Sequence, residues 1–310
     1  MANEVVHGLS AYSIHGHVQA GTEAERVLSY DSFFKRLYAD DPHDLRYKVG
    51  AETVAITDAS SRSERLAFRF VAGNARALPL VYDLETATAE EVDPGSGRFV
   101  VNGAWVIVDA DKRIAIIDRK RPGVAIYQIE RFLSQYGREQ LRLPGLAISL
   151  NPIPTESFRD EIKDLYRIRE AEITLRRPNH SWTQTAEGVL KEIGDSNAAE
   201  VKIQLNADRG NSLAKDRGIV ADILSLARNP ISALKNVVIR GRSHSYDGEK
   251  SVSLKRHVVR GTVQIDRDAG PHEQLEAFDG LAGELIEQAG QQARQVEEDA
   301  EAKADRIDEE

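Results

Sequence analysis

Basic residues are concentrated between residues 201 and 267, a stretch that holds 13 Lys and Arg against 6 Asp and Glu. A second basic group, from Lys112 to Arg121, surrounds the apolar run IAII. A guanidinium can bind two phosphate oxygens at once, and each phosphate that it neutralises releases condensed counterions. These residues therefore predict a surface that binds a polyanion. The alternative is a solvated sheet face whose charges pair with the acidic tail of the chain.

The residues that we expect to contact a phosphate backbone come from both groups. They are Arg119, Lys120, Arg121, Arg240, Arg242, Lys250, Lys255, Arg256 and Arg260. His244, Tyr246 and His257 lie among the later bases, and aromatic rings in such a setting can stack on nucleobases. Because Tyr246 is the only true aromatic residue there, the pattern favours contacts with a duplex backbone over stacking on single strands.

A metal-dependent nuclease is the main catalytic alternative. Asp109, Asp118 and Lys120 imitate the pattern in which two carboxylates hold Mg²⁺ and a lysine supports the attacking water. If DADK forms a hairpin turn, Asp109 lies opposite Lys112, and Asp118 lies six residues further along, roughly 20 Å away at ~3.3 Å per residue. That distance excludes a shared ion unless another acid, such as Asp83 or Glu85, replaces Asp109.

Two other patterns have simpler explanations. Ser212 and Lys215 have S-x-x-K spacing, but without a K-T-G strand we interpret Ser212 as a helix N-cap. His15 and His17 share one strand face, yet two ligands are too few for a metal site. The sequence also contains no Walker loop and no G-x-G-x-x-G motif. We therefore expect no catalytic residue, no metal and no cofactor.

The composition excludes several classes of protein. The chain has 310 residues, a net charge of −9, 41% hydrophobic residues and no Cys. Disulfides, thiolate nucleophiles and sulfur-ligated metals are therefore excluded, which suits a reducing compartment. No apolar run approaches the ~18 residues of a membrane span, and the start lacks the features of a signal peptide. We expect a cytoplasmic protein.

In the first half of the chain, apolar periodicity indicates many strands and two helices. One or two strands are expected over 3–20, and further strands over 45–57, 65–72, 77–83 and 98–108. Helices are expected over 25–40 and 127–137, the second with Gly137 as its C-cap. The segment WVIVDADKRIAIID predicts a hairpin. Its two continuous apolar arms indicate burial on both faces.

The second half alternates regularly after a predicted linker at Pro152 and Pro154. Thr155 is expected to cap a helix over 156–169. Strands are expected over 171–177, 199–205, 236–242 and 251–265. Helices are expected over 183–194, with a Ser181–Gln184 capping box, over 213–228 and from Pro271 onward. Asp247-Gly248 predicts the hairpin turn between the last two strands.

These elements predict an α+β fold. A β-rich N-terminal domain with two helices occupies residues 1–150, and an α+β sandwich domain occupies residues 155–290. Residues 291–310 form an acidic tail, helical or disordered. From residue 268 to the end there are 14 acidic and 3 basic residues, so the tail could compete for a cationic surface.

The layout resembles the RexA-type prophage exclusion proteins over roughly residues 1–290. The resemblance lies in the apolar arms around DADK, the helix YQIERFL after IDRKRPG, and the strand AEITLRRPN that enters the second domain. It implies a lysogen-encoded sensor that binds DNA as a homodimer without sequence preference. It also implies a membrane-protein partner, encoded nearby, that depolarises an infected cell. The acidic tail departs from this layout.

The sequence therefore favours a non-catalytic, sequence-independent DNA-binding protein that acts in prophage-encoded defence by superinfection exclusion. One alternative is a metal-dependent nuclease that uses Asp118 and Lys120. Another is a protein-interaction scaffold whose basic surface binds an acidic protein and no nucleic acid.

Overall fold

The computed structural model describes residues 4–17, 28–41, 44–62, 64–176, 200–228 and 234–307. Within these residues the chain has an α+β fold with fourteen strands and five α-helices. The predicted helix over 183–194 and its capping box lie outside the described residues. Among the helices of the described part, none is both long and apolar enough to cross a bilayer.

The strands form one large sheet, one smaller sheet and an isolated hairpin. In chain order they are β1 (Glu4–His17), β2 (Arg46–Val49), β3 (Glu52–Arg62), β4 (Arg65–Gly73), β5 (Leu80–Asp83), β6 (Thr88–Glu91), β7 (Asn102–Asp109), β8 (Ile114–Asp118), β9 (Ala147–Pro152), β10 (Leu165–Arg176), β11 (Glu200–Asn206), β12 (Leu234–Ser243), β13 (Glu249–Ser253) and β14 (Arg260–Asp266). The eight-stranded sheet has the order β14-β1-β8-β7-β4-β3-β2, with β9 also paired to β1. The four-stranded sheet has the order β11-β10-β12-β13, and among the described strands β5 pairs only with β6.

The helices cover both faces of the large sheet and support the small one. They are α1 (Tyr30–Ala39), α2 (Ile126–Glu139), α3 (Glu156–Asp164), α4 (Gly218–Leu226) and α5 (Pro271–Ile307). One core cluster joins α1 and α2 to the large sheet, and another joins α5 to its opposite face. A third cluster packs α3 and α4 against β10 and β12.

The β7–β8 hairpin confirms the prediction that its apolar arms are buried on both faces. Every residue of β8 is buried, and its side chains alternate between the two clusters of the large sheet. The predicted register was wrong by two residues, because Asp109 lies opposite Ile114 rather than Lys112. Asp109 and Asp118 are therefore about 13 Å apart along the hairpin.

Strand β1 organises the large sheet. It pairs with β8 on one side and with both β14 and β9 on the other. The outer edge of β9 is closed by α2, because the Ile148 amide donates to Ser134 Oγ at 2.8 Å and the Leu150 amide donates to Glu130 Oε1 at 2.9 Å. These side chains satisfy amides that an edge strand would otherwise leave open.

Gly137 does not end α2 as predicted, because the helix continues to Glu139. A Cβ on Gly137 would overlap the buried side chain of Leu146 and crowd Phe33. The glycine is therefore required by close packing between the helix and the segment that enters β9. A helix interior otherwise disfavours glycine by about 1 kcal/mol relative to alanine.

The predicted linker at Pro152 and Pro154 is an ordered part of the sheet. Pro152 ends β9, and Pro154 forms a β-bridge with Val258. The Ile153 amide donates to the Ala11 carbonyl at 3.1 Å. Prolines at the end of a strand lose no ladder hydrogen bond, which makes them compatible with this position.

The predicted strand over 251–265 is divided between two sheets. Strand β13 pairs with β12, a 3₁₀ turn follows at Leu254–Arg256, and β14 then pairs with β1. The division into domains of 1–150 and 155–290 stays a prediction, but β14 and α5 pack on the first sheet rather than the second.

Other element boundaries also differ from the predictions. The helix predicted over 156–169 ends at Asp164, and the chain continues directly as β10. Thr155 holds the N-cap position of α3 but makes no side-chain capping bond. Helix α4 begins at Gly218 rather than at residue 213, and β6 was not predicted.

Candidate nucleic-acid interface

The nine predicted phosphate contacts lie on two different sheets. Arg240 and Arg242 are in β12 and Lys250 is in β13, all in the small sheet. Lys255 and Arg256 are in the 3₁₀ turn, Arg260 begins β14, and Arg119, Lys120 and Arg121 directly follow β8. The bases of the two predicted strands 236–242 and 251–265 therefore do not share one hairpin, because the chain leaves the small sheet before it reaches Arg260.

Two of the nine residues are paired with carboxylates of the chain. Arg240 Nη1 lies 2.7 Å from Glu170 Oε2. Lys250 Nζ lies 3.2 Å from Glu161 Oε2 and 3.9 Å from Asp164 Oδ2. These ion pairs reduce the positive charge that Arg240 and Lys250 could offer to a phosphate.

Three further bases of the small sheet are also paired with carboxylates. Ion pairs join Lys202 to Glu172 at 2.9 Å, Arg169 to Glu249 at 3.1 Å, and Lys235 to Glu200 at 2.5 Å. Exposed pairs of this kind contribute only about 0–1 kcal/mol each to stability. Their effect here is to neutralise most of a face that the sequence predicted to be cationic.

Six of the nine residues form what we call the cationic platform. They are Arg119, Lys120, Arg121, Lys255, Arg256 and Arg260. All six side chains are exposed. Within the described part of the chain, none has a carboxylate oxygen within 4.0 Å of its charged nitrogen atoms. The platform therefore keeps the charge that the small sheet has lost.

Strand β1 brings the two parts of the platform together. The Arg119 amide donates to the Gly8 carbonyl at 2.7 Å, and on the other side of β1 Gly8 pairs with Thr262 and Ser10 with Arg260. With strands about 4.8 Å apart and an offset of two residues, about 6.6 Å, along β1, the backbones that carry Arg119 and Arg260 are roughly 12 Å apart.

The guanidinium groups of Arg119 and Arg260 share the sheet face opposite α5. A Cβ on Gly261 would meet Leu281 of α5, so Arg260, the preceding residue in the strand, projects from the other face. Arg119 Nη1 donates to the Tyr12 hydroxyl at 2.5 Å, and Tyr12 belongs to the core cluster of α1 and α2 on that same face.

Two titratable groups border the platform. Burial raises the pKa of Tyr12, and the charge of Arg119 opposes this rise. Burial also lowers the pKa of His257. The charges of Arg256 and Arg260 lower this pKa further, whereas the charge of Glu161 raises it. His257 is therefore neutral at pH 7 and adds no positive charge to the platform, since its ordinary pKa is about 6.5.

A pocket of about 350 Å³ opens beside the β12–β13 turn. We call it the hairpin pocket. It is lined by Tyr166, Arg242, Ser243, His244, Tyr246, Asp247 and Gly248. Sequence reasoning identified Arg242, His244 and Tyr246 but missed Tyr166, which belongs to β10. The rings of Tyr166 and His244 are in contact, with centroids 4.9 Å apart.

Asp164, the last residue of α3, holds the pocket loop in place. Its carbonyl accepts from the His244 amide at 3.2 Å, and its carboxylate accepts from the hydroxyls of Ser243 and, at 2.6 Å, Ser245. The bonds from Ser243 and Ser245 lower the pKa of Asp164. The loop is thus tied to a helix end rather than free, a form of preorganisation.

Asp118 and Asp109, the carboxylates of the nuclease alternative, have separate structural contacts. Asp118 is buried, and its Oδ1 atom lies 3.4 Å from His7 Nδ1 beneath Phe278 of α5. Burial raises the pKa of Asp118, which the contact with His7 opposes. Asp109 accepts from the Lys112 amide at 2.9 Å in the hairpin turn. Among the described residues, no three His, Asp or Glu side chains are placed to share a metal ion.

Ser212 and His15, which belong to the two other patterns of the sequence, make hydrogen bonds within the fold. Ser212 is not a helix N-cap, because α4 begins six residues later; its hydroxyl instead accepts from the Ile168 amide at 2.9 Å. His15 is buried and lies 2.9 Å from the Ser13 hydroxyl.

Part of the chain matches a protein family. The family described as "Domain of unknown function (DUF4747)" matches residues 101–229. This region runs from the start of β7 to just beyond α4, so it includes Arg119, Lys120, Arg121 and Tyr166 but not β12 to β14. No curated protein matches the chain.

Proposed function

We propose that the chain is a non-catalytic DNA-binding protein that contacts the phosphate backbone through the cationic platform, without reading base sequence. The observation that supports this proposal is the set of six exposed bases that lack carboxylate partners in the described structure. Backbone contacts of this kind provide affinity and position but carry no sequence information. Arg119 and Arg260 lie on the face opposite α5, so that helix does not obstruct these two side chains.

The cellular context of the proposal comes from the resemblance to prophage exclusion proteins. In that context, DNA binding serves defence against an infecting phage, together with a membrane protein encoded nearby. A membrane-active partner would explain how a DNA-bound protein without a spanning helix in its described residues affects the cell envelope. Detection of a multi-span membrane protein in a pull-down with the full chain would support this context.

We also propose a homodimer, for which the β5–β6 hairpin is the candidate contact. The exposed fractions of Leu80, Tyr82 and Leu84 are 70%, 58% and 88%. An isolated two-stranded hairpin is marginally stable in water, and exposed apolar patches mark interaction sites. Residues 80–93 contain five acids and no base. The free edge strand β2 of a second copy exposes Arg46 and Lys48 and so offers charge of opposite sign.

Substitutions in the platform test DNA binding. We expect Arg121→Ala and Arg260→Ala each to reduce the slope of log affinity against log salt by about 0.9, because each removes one phosphate contact. The affinity should fall by the same factor for duplexes of unrelated sequence. The measurement is a mobility-shift titration between about 50 and 200 mM salt.

The matched control is Arg209→Ala, in the turn after edge strand β11 of the small sheet, where an exposed arginine is also lost. Its slope should equal that of the wild type. A flat salt response of the wild type would overturn the proposal and favour the scaffold alternative. Mg²⁺-dependent cleavage of the duplex that Asp118→Ala abolishes would instead favour the nuclease.

A further inference from the structure

A β-bulge places Tyr166 in the hairpin pocket. Leu165 pairs with Ser243 and Arg167 with Arg242, so Tyr166 is an extra residue in β10. A Cβ on Gly241 would overlap the Arg167 carbonyl oxygen, so only glycine permits this close approach of β12. Bulges of this kind re-aim side chains and are common next to binding sites.

Arg242 is a cation whose neighbours do not neutralise it. It lies directly opposite Arg167 on β10 and opposite Glu249 on β13. Glu249 is engaged by Arg169 at 3.1 Å, and Arg167 donates through Nε to the Asn211 carbonyl. No described carboxylate oxygen lies within 4.0 Å of the Arg242 guanidinium. Like charges on directly opposed residues are unfavourable, and an anion bound here would relieve that repulsion.

The pocket also presents two exposed phenol rings beside this guanidinium. The exposed fractions of Tyr166 and Tyr246 are 49% and 58%. Gly248 has a φ of +113°, which favours glycine, and the Tyr246 ring lies over it. Exposed aromatic rings next to an arginine bind nucleobases by stacking and their phosphates by charge. Asp247 lines the same pocket and can accept a hydrogen bond from an exocyclic amine or a sugar hydroxyl.

We infer that the hairpin pocket binds one unpaired nucleotide, with its base stacked on the exposed tyrosine rings and its phosphate on Arg242. The volume of about 350 Å³ lies within the range of pockets that hold small molecules. The ligand could be a free nucleotide or an unpaired position in a nucleic-acid strand, since both offer the same chemistry. The site uses none of the platform residues and does not depend on the proposed duplex binding.

The test compares three probes: a nucleoside monophosphate, a single-stranded oligothymidine and a blunt duplex. We expect Tyr246→Ala and Arg242→Ala each to weaken binding of the oligothymidine, of the monophosphate, or of both by about tenfold. Duplex binding should be unchanged. Fluorescence anisotropy reports the oligonucleotides, and calorimetry reports the monophosphate.

Two controls match these variants in residue type. Arg240→Ala removes a neighbouring arginine that is already paired with Glu170, and Tyr127→Ala removes an exposed tyrosine of α2. Neither should change the binding of any probe. Tyr246→Phe should retain most of the affinity, because it keeps the stacking ring.

The probes separate the two sources of the ligand and the two proposals. Saturable binding of the monophosphate that Tyr246→Ala weakens identifies a free nucleotide, whereas the same effect on the oligothymidine alone identifies a strand. Inorganic phosphate that competes as well as the monophosphate would overturn the inference, because the base would contribute nothing. Unchanged affinity of both variants for both unpaired probes would also overturn it, while platform variants that weaken duplex binding would still support the proposed function.

Discussion

At the scale of single residues, Gly241 sets the distance between β10 and β12 at the bulge. Its neighbour Arg242 and the bulged Tyr166 both belong to the hairpin pocket, so the geometry of the pocket depends on this approach. Glycine within a strand usually weakens it, and it often marks a place where two backbones come close together. The contact explains why a glycine lies between Arg240 and Arg242 within strand β12.

Gly241→Ala should therefore impair the pocket. The added methyl group overlaps the Arg167 carbonyl, so the strands must separate or the bulge must shift. We expect a loss of stability of about 1–3 kcal/mol together with weaker binding of unpaired nucleotides. Denaturant unfolding and anisotropy measure the two effects.

Gly8→Ala is the control for this substitution. Gly8 also lies in a strand, but a Cβ there would have no atom within 4 Å. We expect the stability of the Gly8→Ala variant to differ little from that of the wild type. If Gly241→Ala behaved like Gly8→Ala in both measurements, the close approach of the strands would not be what positions the pocket.

At the scale of elements, two short features determine which surfaces are exposed. The 3₁₀ turn Leu254–Arg256 moves the chain from the small sheet to the large one, so that Arg260 lies near Arg119 instead of beside Arg240. The β5–β6 hairpin pairs with no other strand of the described chain. The 3₁₀ turn therefore creates the cationic platform, and the β5–β6 hairpin leaves apolar side chains exposed for a partner.

The β5–β6 hairpin gives a prediction about assembly. We expect the double substitution Leu80→Ser with Tyr82→Ser, on one face of β5, to raise the dissociation constant of the proposed dimer by about tenfold or more, because burial of these side chains is lost. Analytical ultracentrifugation measures the change. High salt should also weaken the wild-type dimer, since the proposed contact joins acidic and basic strands.

Tyr38→Ser provides the comparison, since Tyr38 is a partly exposed tyrosine of α1 outside the hairpin. It should leave the dimer intact. A wild-type chain that is monomeric at high concentration would contradict the homodimer, and an unchanged double variant would place the interface elsewhere.

At the scale of the whole molecule, the distribution of charge decides how the chain meets a polyanion. The net charge of −9 opposes the approach of DNA, although the platform is cationic. Residues 291–310 contribute eight acids and three bases to this total. Long-range repulsion of this kind is strongest at low salt, because the Debye length shortens from about 30 Å at 0.01 M to about 8 Å at 0.15 M.

Deletion of residues 291–310 should therefore strengthen duplex binding. We expect the affinity for the duplex to rise about three- to tenfold near 50 mM salt. The gain should diminish toward 200 mM salt, because salt screens the repulsion. The same mobility-shift titration measures it, with the circular dichroism spectrum as a check on folding. Equal affinities of the full and shortened chains at low salt would discard a role for the acidic tail.

The sequence by itself determined the local features of the molecule. Alternating and continuous apolar runs predicted β1 and the β7–β8 hairpin, Pro271 indicated the start of α5, and Asp247-Gly248 indicated a turn. The α+β class followed from the pattern of elements. Such features depend on burial within a few residues of the chain, which periodicity reports directly. The sequence also identified Arg242 and Tyr246, because their residue types are unusual in that setting.

Only the tertiary structure decided which of these residues meet. Residues 251–265 read as one strand, because the pattern does not show that the chain changes sheets at a 3₁₀ turn. Tyr166 could not be assigned to the pocket, since its place depends on a bulge in β10 that arises from pairing with β12, a strand far away in sequence. The partners of Arg240 and Lys250 are likewise distant carboxylates. Pairing between separate segments depends on strand register and topology, and no single stretch of sequence contains that information.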